Sequence, residues 1–294
     1  MYVMNNLTKF SGKGGVVDNL KISCEYFSLD TKKKRRRELK KKHGEAIGSY
    51  IITDINGCIA GKYEQILIDS YDNITLFNLI DLNHRTAFNP LDPKYLESEA
   101  DIISLASVMV DSVIGNSTEG SRFHTYDRNS YWRMAAKSLL AALIGYVEMK
   151  APPVEMCMST VLMMLETNKR SDDYPVTPID ILFDRLKAYN PNCLAVRQYE
   201  TYRASDFDNL AQINDYLFKL LYLYNNEEIC RKTSYDNIDI ELFTKEPSVL
   251  LVAIPDFDDT YRPLVEVMYH QIIGFLNRER WRCGGFDIPV ITCI

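Results

Sequence analysis

The sequence predicts an α/β protein whose parallel sheet is interrupted by an inserted block of helices. Residues 50–52 and 249–254 are uninterrupted apolar runs, which is typical of strands that are buried on both faces of a parallel sheet. Between these runs, residues 96–235 place apolar side chains at helical spacing. Asp54 and Asp256 follow the two runs, at the strand ends where open α/β sheets bind their ligands.

The composition is ordinary for a globular protein of one large domain or two smaller ones. The 294 residues are 46% hydrophobic and 25% charged. The seven cysteines include no Cys-x-x-Cys pair, and the four histidines form no His-Glu-x-x-His helix. We therefore expect reduced thiols, no metal site and a cytoplasmic location. No run reaches the roughly 18 apolar residues that a membrane span needs.

Residues 1–47 are poorly patterned and contain a strongly basic run. The run contributes +8 to a net charge of −6, so the rest of the chain sums to −14. Its bases are Lys32, Lys33, Lys34, Arg35, Arg36, Arg37, Lys40, Lys41 and Lys42. Such concentrated charge fits either a contact with DNA phosphates or anionic lipid headgroups, or a solvated connector.

A glycine-rich stretch at residues 11–15 (Ser-Gly-Lys-Gly-Gly) invites comparison with loops whose N–H groups cradle phosphates. A phosphate loop requires Gly-x-x-x-x-Gly-Lys-Ser/Thr. Here Leu7 stands in place of the first glycine, and Gly14 stands in place of the hydroxyl residue. A flexible turn is therefore favoured over nucleotide binding.

The segment before the helical block predicts a βαβ unit. A strand over residues 49–54 is followed by a short helix over residues 59–65. Strand-like segments follow at residues 66–68 and 74–80, and two prolines indicate a turn at residues 88–93.

The first strand ends in Thr53 and Asp54, and the flexible pair Asn56-Gly57 follows. Such a strand end faces a ligand in many α/β proteins. Alternatively, the same residues make only a turn or a helix cap. Asp256, after the second apolar strand, allows the same two interpretations.

From residue 98 onwards the apolar spacing is helical. Helices are predicted at residues 98–113, 130–148, 154–165, 177–186, 194–202, 210–224 and 260–276, with a polar loop at 116–128 and the beginning of a strand at 288–294. The best-defined helix start is at Thr177, where Pro178 takes the first helical position and Asp180 lies three residues after the cap.

Several segments of the chain resemble motifs of a known family. Residues 49–57 (Ser-Tyr-Ile-Ile-Thr-Asp-Ile-Asn-Gly) are similar to its Ser-Tyr/Phe-Val-Ile-Thr-Asp-Pro-Lys-Gly, and residues 88–90 match its Tyr/Phe-Asn-Pro. Trp132, Lys137 and the following Leu-Leu-Ala-Ala-Leu run resemble the first long helix of its inserted block. Residues 252–256 resemble the strand that precedes its acidic strand.

The most specific segment is residues 177–186, followed by Arg197-Gln198-Tyr199. In order and spacing, residues 48–292 resemble the TraG/TraD family of type IV secretion coupling proteins, in the form found on conjugative elements of Gram-positive bacteria.

The resemblance implies a RecA-like motor domain, of the phosphate-loop NTPase type, with an inserted all-helical domain. It divides the chain into an N-terminal segment (1–47), a first motor part (48–95), a helical domain (96–235) and a second motor part (236–294). It also implies hexameric rings at the inner face of the membrane that use ATP and Mg²⁺ to translocate DNA. The implied partners are DNA, a relaxase, other coupling-protein subunits and proteins of the secretion channel.

The chain departs from the family at the positions that carry its chemistry. The phosphate loop expected before Ser49 is missing, and Ile55 and Asn56 replace the Pro-Lys pair. Residues 206–214 stand where the family has a Gly-Lys-rich helix start, and the sequence stops before the family's Asp-Glu pair. Without that loop and that pair, little would hold the phosphates, magnesium or attacking water, so we expect no ATP hydrolysis.

The resemblance makes Thr53, Asp54, Gly57 and Asp256 candidates for the nucleotide side of the sheet, with turn or helix capping as the alternative. It makes the basic run and four bases of the helical block candidates for contacts with DNA or a partner. Those four are Arg133, Lys137, Arg197 and Arg203. Plain solvated charge is the alternative for them.

The leading hypothesis is a partial or degenerate coupling protein that binds DNA or partners and does not hydrolyse ATP. In the family, such proteins deliver relaxase-bound DNA to the transfer channel. Two alternatives stay open: an ATPase completed by a neighbouring polypeptide, and a separate adaptor or regulatory protein that keeps the fold for interaction only.

Overall fold

The structure is a computed structural model that describes residues 9–10, 48–62, 67, 71, 73–114, 126–170, 173–205, 207–256, 258–286 and 288–293. The basic run at residues 32–42 and the glycine-rich stretch at 11–15 lie outside these residues.

The described strands form one mixed sheet. The strands are β1 (Lys9–Phe10), β2 (Ser49–Ile55), β3 (Asn73–Asn78), β4 (Ser248–Ile254) and β5 (Val290–Cys293). Their order in the sheet is β1-β5-β2-β4-β3. The pairs β5-β2, β2-β4 and β4-β3 are parallel, and β1 pairs antiparallel with β5. The predicted α/β class with a parallel sheet is confirmed.

The two apolar strands of the sequence lie side by side. β2 pairs with β4 in parallel from Tyr50 opposite Val249 to Ile55 opposite Ile254. Ile51 and Leu250, which face each other in this register, have no exposed surface. A strand in the centre of a parallel sheet is covered on both faces, which explains why these runs show no polar alternation.

One predicted strand is wrong. Of the segment 66–68, the structure describes Leu67, which is helical and buried against the sheet in a cluster with Tyr50 and Leu251. Three apolar residues are too few to show a period of two or of 3.6.

The next strand is shorter than predicted. β3 ends at Asn78 because the Asn78 side-chain oxygen accepts hydrogen bonds from the N–H groups of Ile80 and Asp81, both at 2.8 Å. This local turn replaces the last predicted strand residues.

The structure contains helices α1 (Glu99–Ile114), α2 (Tyr126–Lys150), α3 (Met158–Thr167), α4 (Pro178–Tyr189), α5 (Leu194–Arg203), α6 (Phe207–Leu221), α7 (Glu227–Thr233), α8 (Leu242–Lys245) and α9 (Arg262–Cys283). Seven of these helices follow the predicted order with adjusted ends, and α7 and α8 were not predicted. The predicted loop at 116–128 is wrong at its end, since α2 already begins at Tyr126. α9 extends seven residues beyond the predicted end at residue 276. Single helical turns lie at Pro153–Glu155, Tyr222–Asn225 and Asp259–Tyr261.

The chain divides into two compact units. The sheet unit comprises residues 1–86, 237–259 and 274–294, and the helical unit comprises residues 87–236 and 260–273. β3 precedes the helical unit in the chain and β4 follows its main segment, so the helices are inserted between strands of one sheet.

The helical unit is built around α2. Leu139, Leu140 and Leu143 of this helix are fully buried. A Cβ atom at Gly145 would lie 3.6 Å from the Cβ atom of Ala195 in α5. Two small residues thus let α2 and α5 approach closely. The apolar run of α2 is buried in the core of this unit, as the sequence predicted. Among the described helices, none is both long and apolar enough to span a bilayer.

Candidate functional site

The carboxyl ends of β2 and β4 are tied together by Asn56. Its backbone N–H donates to the Ile254 carbonyl at 2.8 Å, and its side-chain oxygen accepts from the Asp256 N–H at 3.0 Å. Asn56 and Gly57 both have positive φ angles, 58° and 65°. Asparagine and glycine tolerate this conformation best, so the pair makes the turn and also closes the edge of the sheet.

Asp54 is fully buried at the same edge and caps a short helix. Its two carboxylate oxygens accept hydrogen bonds from the N–H groups of Ile59 and Ala60, both at 2.8 Å. These N–H groups belong to the helical residues 58–62, whose first turn would otherwise leave them unpaired. Of the two interpretations of Asp54, the geometry corresponds to helix capping.

The other three candidates at this edge differ in exposure. Thr53 is half-buried within β2 opposite Val252, Gly57 is half-buried in the turn, and Asp256 is exposed. Both oxygens of the one buried acid are used by backbone N–H groups. The described edge therefore does not fit a magnesium-nucleotide site. No group of three or more His, Cys, Asp or Glu residues in the described part of the chain is placed to hold a metal ion.

The predicted bases of the helical block are mostly engaged in ion pairs. The pairs are Lys137 with Asp111 at 2.7 Å, Arg197 with Glu99 at 2.6 Å and Arg203 with Asp184 at 2.6 Å. Arg133 is half-buried in α2. Each pair cancels a positive charge locally. The acids Asp111, Glu99 and Asp184 are far from the bases in sequence, so spacing alone could not reveal the pairs.

A buried polar network surrounds Asp180, at the start of α4. Thr177 and Asp180 form a reciprocal capping box: the Asp180 N–H donates to the Thr177 hydroxyl at 3.1 Å, and the Thr177 N–H donates to the Asp180 carboxylate at 2.8 Å. The same carboxylate accepts from the Arg170 guanidinium at 2.7 Å and from the Tyr199 hydroxyl at 3.0 Å. The sequence predicted the cap but not the two distant donors.

The network continues across three helices. The Thr177 hydroxyl lies 2.8 Å from the Asn168 side-chain oxygen, and the Asn168 amide donates to the Asn214 side-chain oxygen at 3.0 Å. The Asn214 amide in turn donates to the Leu165 carbonyl at 3.2 Å. The end of α3, the start of α4 and the middle of α6 are therefore joined by side chains that are buried and hydrogen-bonded.

A profile of the family described as "Type IV secretory system Conjugative DNA transfer" matches residues 45–282. The chain belongs to this family. The predicted resemblance to type IV secretion coupling proteins is confirmed by this match. A search among curated protein sequences finds no significant match.

Solved structures of the conjugative coupling protein TrwB are among the structural matches. The unbound monoclinic form of TrwBΔN70 is 14% identical with a TM-score of 0.47, and the alignment covers 78% of this chain and 44% of that one. The TrwB complex with ADP and Mg²⁺ is also 14% identical, with a TM-score of 0.46 and coverage of 81% and 47%. The chain thus spans less than half of the length of these TrwB chains.

In this member of the conjugative DNA transfer family, the motif at residues 88–90 is packed inside the helical unit. Phe88 is fully buried, and its N–H donates to the Lys232 carbonyl at 2.9 Å. The Asn89 side chain donates to the Met156 carbonyl at 2.8 Å and accepts from the Leu91 N–H at 2.9 Å. Because both polar ends of Asn89 are satisfied by backbone, this motif fixes a turn and offers no group to a ligand.

The charges within the Asp180 network stabilise each other. Burial by itself raises the pKa of Asp180, but hydrogen bonds from Arg170 and from the Thr177 backbone outweigh it, so this pKa is lowered. Burial, followed by the charge of Asp180, raises the pKa of Tyr199. Asp180 therefore stays ionised and Tyr199 stays protonated at neutral pH, which indicates a structural role rather than proton transfer.

We expect Asp54→Ala to lower the free energy of unfolding by about 1–2 kcal/mol, because two N–H groups at a helix start lose their acceptor. Urea unfolding followed by circular dichroism would measure the change. The matched control is Asp256→Ala, at the exposed acid of the same edge, which should change the stability by less than about 0.5 kcal/mol. Equal effects of the two substitutions would contradict the capping role.

We expect Asp180→Asn to cost about 3–5 kcal/mol at pH 7, because it leaves the buried Arg170 without its counter-charge. Asp184→Asn, which removes the exposed partner of Arg203, should cost less than about 1 kcal/mol. The lowered pKa of Asp180 means that its contribution is present above the unfolded-state pKa of about 3.9 and is lost as the pH falls through the folded-state pKa. The difference in stability between wild type and Asp180→Asn should therefore be constant above about pH 5 and shrink below about pH 4. A difference that does not change with pH would exclude an ionised Asp180.

Proposed function

We propose that this chain is a partial or degenerate coupling protein of a type IV secretion system, which binds DNA and partner proteins and does not hydrolyse ATP. The observation that carries the proposal is the combination of a family match over residues 45–282 with a sheet edge whose buried acid caps a helix. The first supports the conjugative role, and the second supports the loss of nucleotide chemistry.

The proposed lack of ATP turnover rests on what phosphoryl transfer requires. The β- and γ-phosphates need a cradle of N–H groups and a lysine, and magnesium needs a hydroxyl and a carboxylate. No Gly-x-x-x-x-Gly-Lys-Ser/Thr sequence occurs in the 294 residues. Asn56, which replaces the lysine of the family motif, holds the ends of β2 and β4 together instead.

We propose that the family's role gives the chain its partners. These would be relaxase-bound DNA, other coupling-protein subunits and channel proteins, at the cytoplasmic face of the cell membrane. TrwB has been solved in complex with ADP and Mg²⁺, whereas we propose that the residues of this chain bind DNA without a nucleotide. The proposed functional division follows the sequence: residues 48–95 and 236–294 for the motor-like part and residues 96–235 for the helical part.

The basic run is the proposed main DNA contact. Its nine bases stand close together in the sequence, whereas three of the four predicted bases of the helical block are paired with acids. Cations already neutralised by protein acids release few counterions from DNA, so the run should dominate the salt dependence of binding.

The test uses the whole chain with labelled DNA, Mg²⁺ and ATP. We expect no ATP hydrolysis, and DNA binding that weakens steeply with salt. Replacing the nine bases of the run by glutamine should weaken binding at least about tenfold at low salt and flatten the plot of log affinity against log salt. The control replaces Lys137, Arg197 and Arg203 by glutamine, and it should change the affinity by less than about threefold, as expected for charges that are already paired.

Other outcomes would support other functions. Hydrolysis of ATP by the chain alone would contradict the proposal. Hydrolysis that appears only with a neighbouring polypeptide would support an ATPase completed in trans. Binding of a relaxase or coupling protein, with no affinity for DNA, would support an adaptor instead.

A further inference from the structure

An exposed tryptophan lies among arginines at the end of α9. Trp281 has 88% of its surface exposed, although tryptophan is on average one of the more deeply buried residue types. The segment around it reads Arg278-Glu279-Arg280-Trp281-Arg282, which carries three positive charges and one negative charge. The other tryptophan, Trp132, is half-buried and lies 4.5 Å from the Tyr216 ring, measured between centroids.

Helical geometry groups these residues around Trp281. At about 100° per residue, Gly274, Arg278 and Arg282 fall within about 100° on one side of Trp281, and Arg280 lies about 100° away on the other side. Arg278 is half-buried along the helix, with its guanidinium 3.8 Å from the position that a Cβ atom at Gly274 would take. The absence of a side chain at Gly274 thus leaves room for Arg278 to lie along the helix.

The end of α9 is positively charged, whereas the chain as a whole is negatively charged. Arg282 and Glu279 form an ion pair at 2.9 Å with the Arg282 side chain 55% exposed, so the segment keeps a net charge of +2. This charge sits on a sheet unit in a chain whose overall charge is −6. Part of the positive charge complements the partial negative charge of the helix C-terminus. An exposed indole is not needed for that purpose.

We propose that Trp281, together with Arg278, Arg280 and Arg282, forms a stacking site for single-stranded nucleic acid. A flat aromatic ring offers a face on which an unpaired base stacks, and the flanking guanidinium groups contact the phosphates on either side of that base. In a duplex the base faces are covered by their neighbours, so the indole distinguishes single strands from double strands. This inference rests on the proposed DNA-binding function and adds to it the form of DNA and the contact residues.

The experiment uses tryptophan fluorescence of the whole chain, because the sequence contains two tryptophans. Titration with a dT oligonucleotide should quench part of the emission. In Trp132→Phe, where the remaining indole is Trp281, the quenched fraction should rise. In Trp281→Phe the quenching should disappear. A duplex of the same length should quench neither variant.

Affinity measured with a labelled dT oligonucleotide provides the second readout. Trp281→Ala should weaken binding about tenfold, which is the order expected for the loss of one stacked base. Arg280→Gln should lower the slope of log affinity against log salt by about 0.7, which corresponds to one lost phosphate contact. Lys245→Gln, at an exposed lysine of the same unit paired with Glu241, is the matched control and should change neither affinity nor slope.

The outcomes separate this inference from the proposed function. If the oligonucleotide binds wild type and Trp281→Ala equally, and Trp281 emission is not quenched, the stacking site is overturned while the DNA-binding function stands. If no form of DNA binds the wild type, the proposed function fails and the stacking site fails with it. If Trp281 emission changes with protein concentration in the absence of DNA, and added oligonucleotide has no effect, the indole serves contacts between copies of the chain and the stacking site is overturned. Circular dichroism of each variant confirms that the fold is kept.

Discussion

The parallel pairing of β2 with β4 is the constraint on which the rest of this structure depends. It joins segments about 200 positions apart, and it is fastened at both ends by polar side chains. At the amino end, the buried Ser49 hydroxyl donates to the Glu246 carbonyl and accepts from the Ser248 N–H, both at 3.1 Å. At the carboxyl end, Asn56 bridges the two strands. These bonds at the two ends of the strand pair set the register that places the fully buried Ile51 opposite Leu250. The helices that lie between the two strands in the sequence are therefore an insertion.

The same fastening engages polar groups at the carboxyl ends of the strands. The edge at which an α/β sheet would meet a ligand is closed by the chain's own groups: Asn56 bonds the neighbouring strand, and Asp54 bonds the helix that follows. Both carboxylate oxygens of the fully buried Asp54 accept from backbone N–H groups, so this carboxylate is held inside the fold. In the described part of this edge, the polar groups of Asn56 and Asp54 thus stabilise the fold itself.

The sequence predicted those features that depend on local signals. The apolar runs of β2 and β4 are strong sequence signals because both faces of each strand are buried. The Thr177-Pro178 helix start is also a strong signal, because a helix cap needs only neighbouring residues. The strand predicted around Leu67 is wrong, since a run of three apolar residues has no measurable period. β1, with two residues at the edge of the sheet, carries no pattern at all. The partners of Asp180, Arg203 and Arg197 could not be predicted, because such pairs depend on how helices pack rather than on sequence spacing.

The register of β2 and β4 is the most direct test of this account, and methyl NMR can measure it. With methyl labelling of isoleucine and leucine, we predict nuclear Overhauser effects between Ile51 and Leu250 and between Ile52 and Leu251, which face each other across the pair. Neighbouring residues of a strand point to opposite faces, so Ile51 and Leu251 should show none. Cross-peaks that link Ile51 to Leu251, or none between the two segments, would contradict the paired strands and the insertion built upon them.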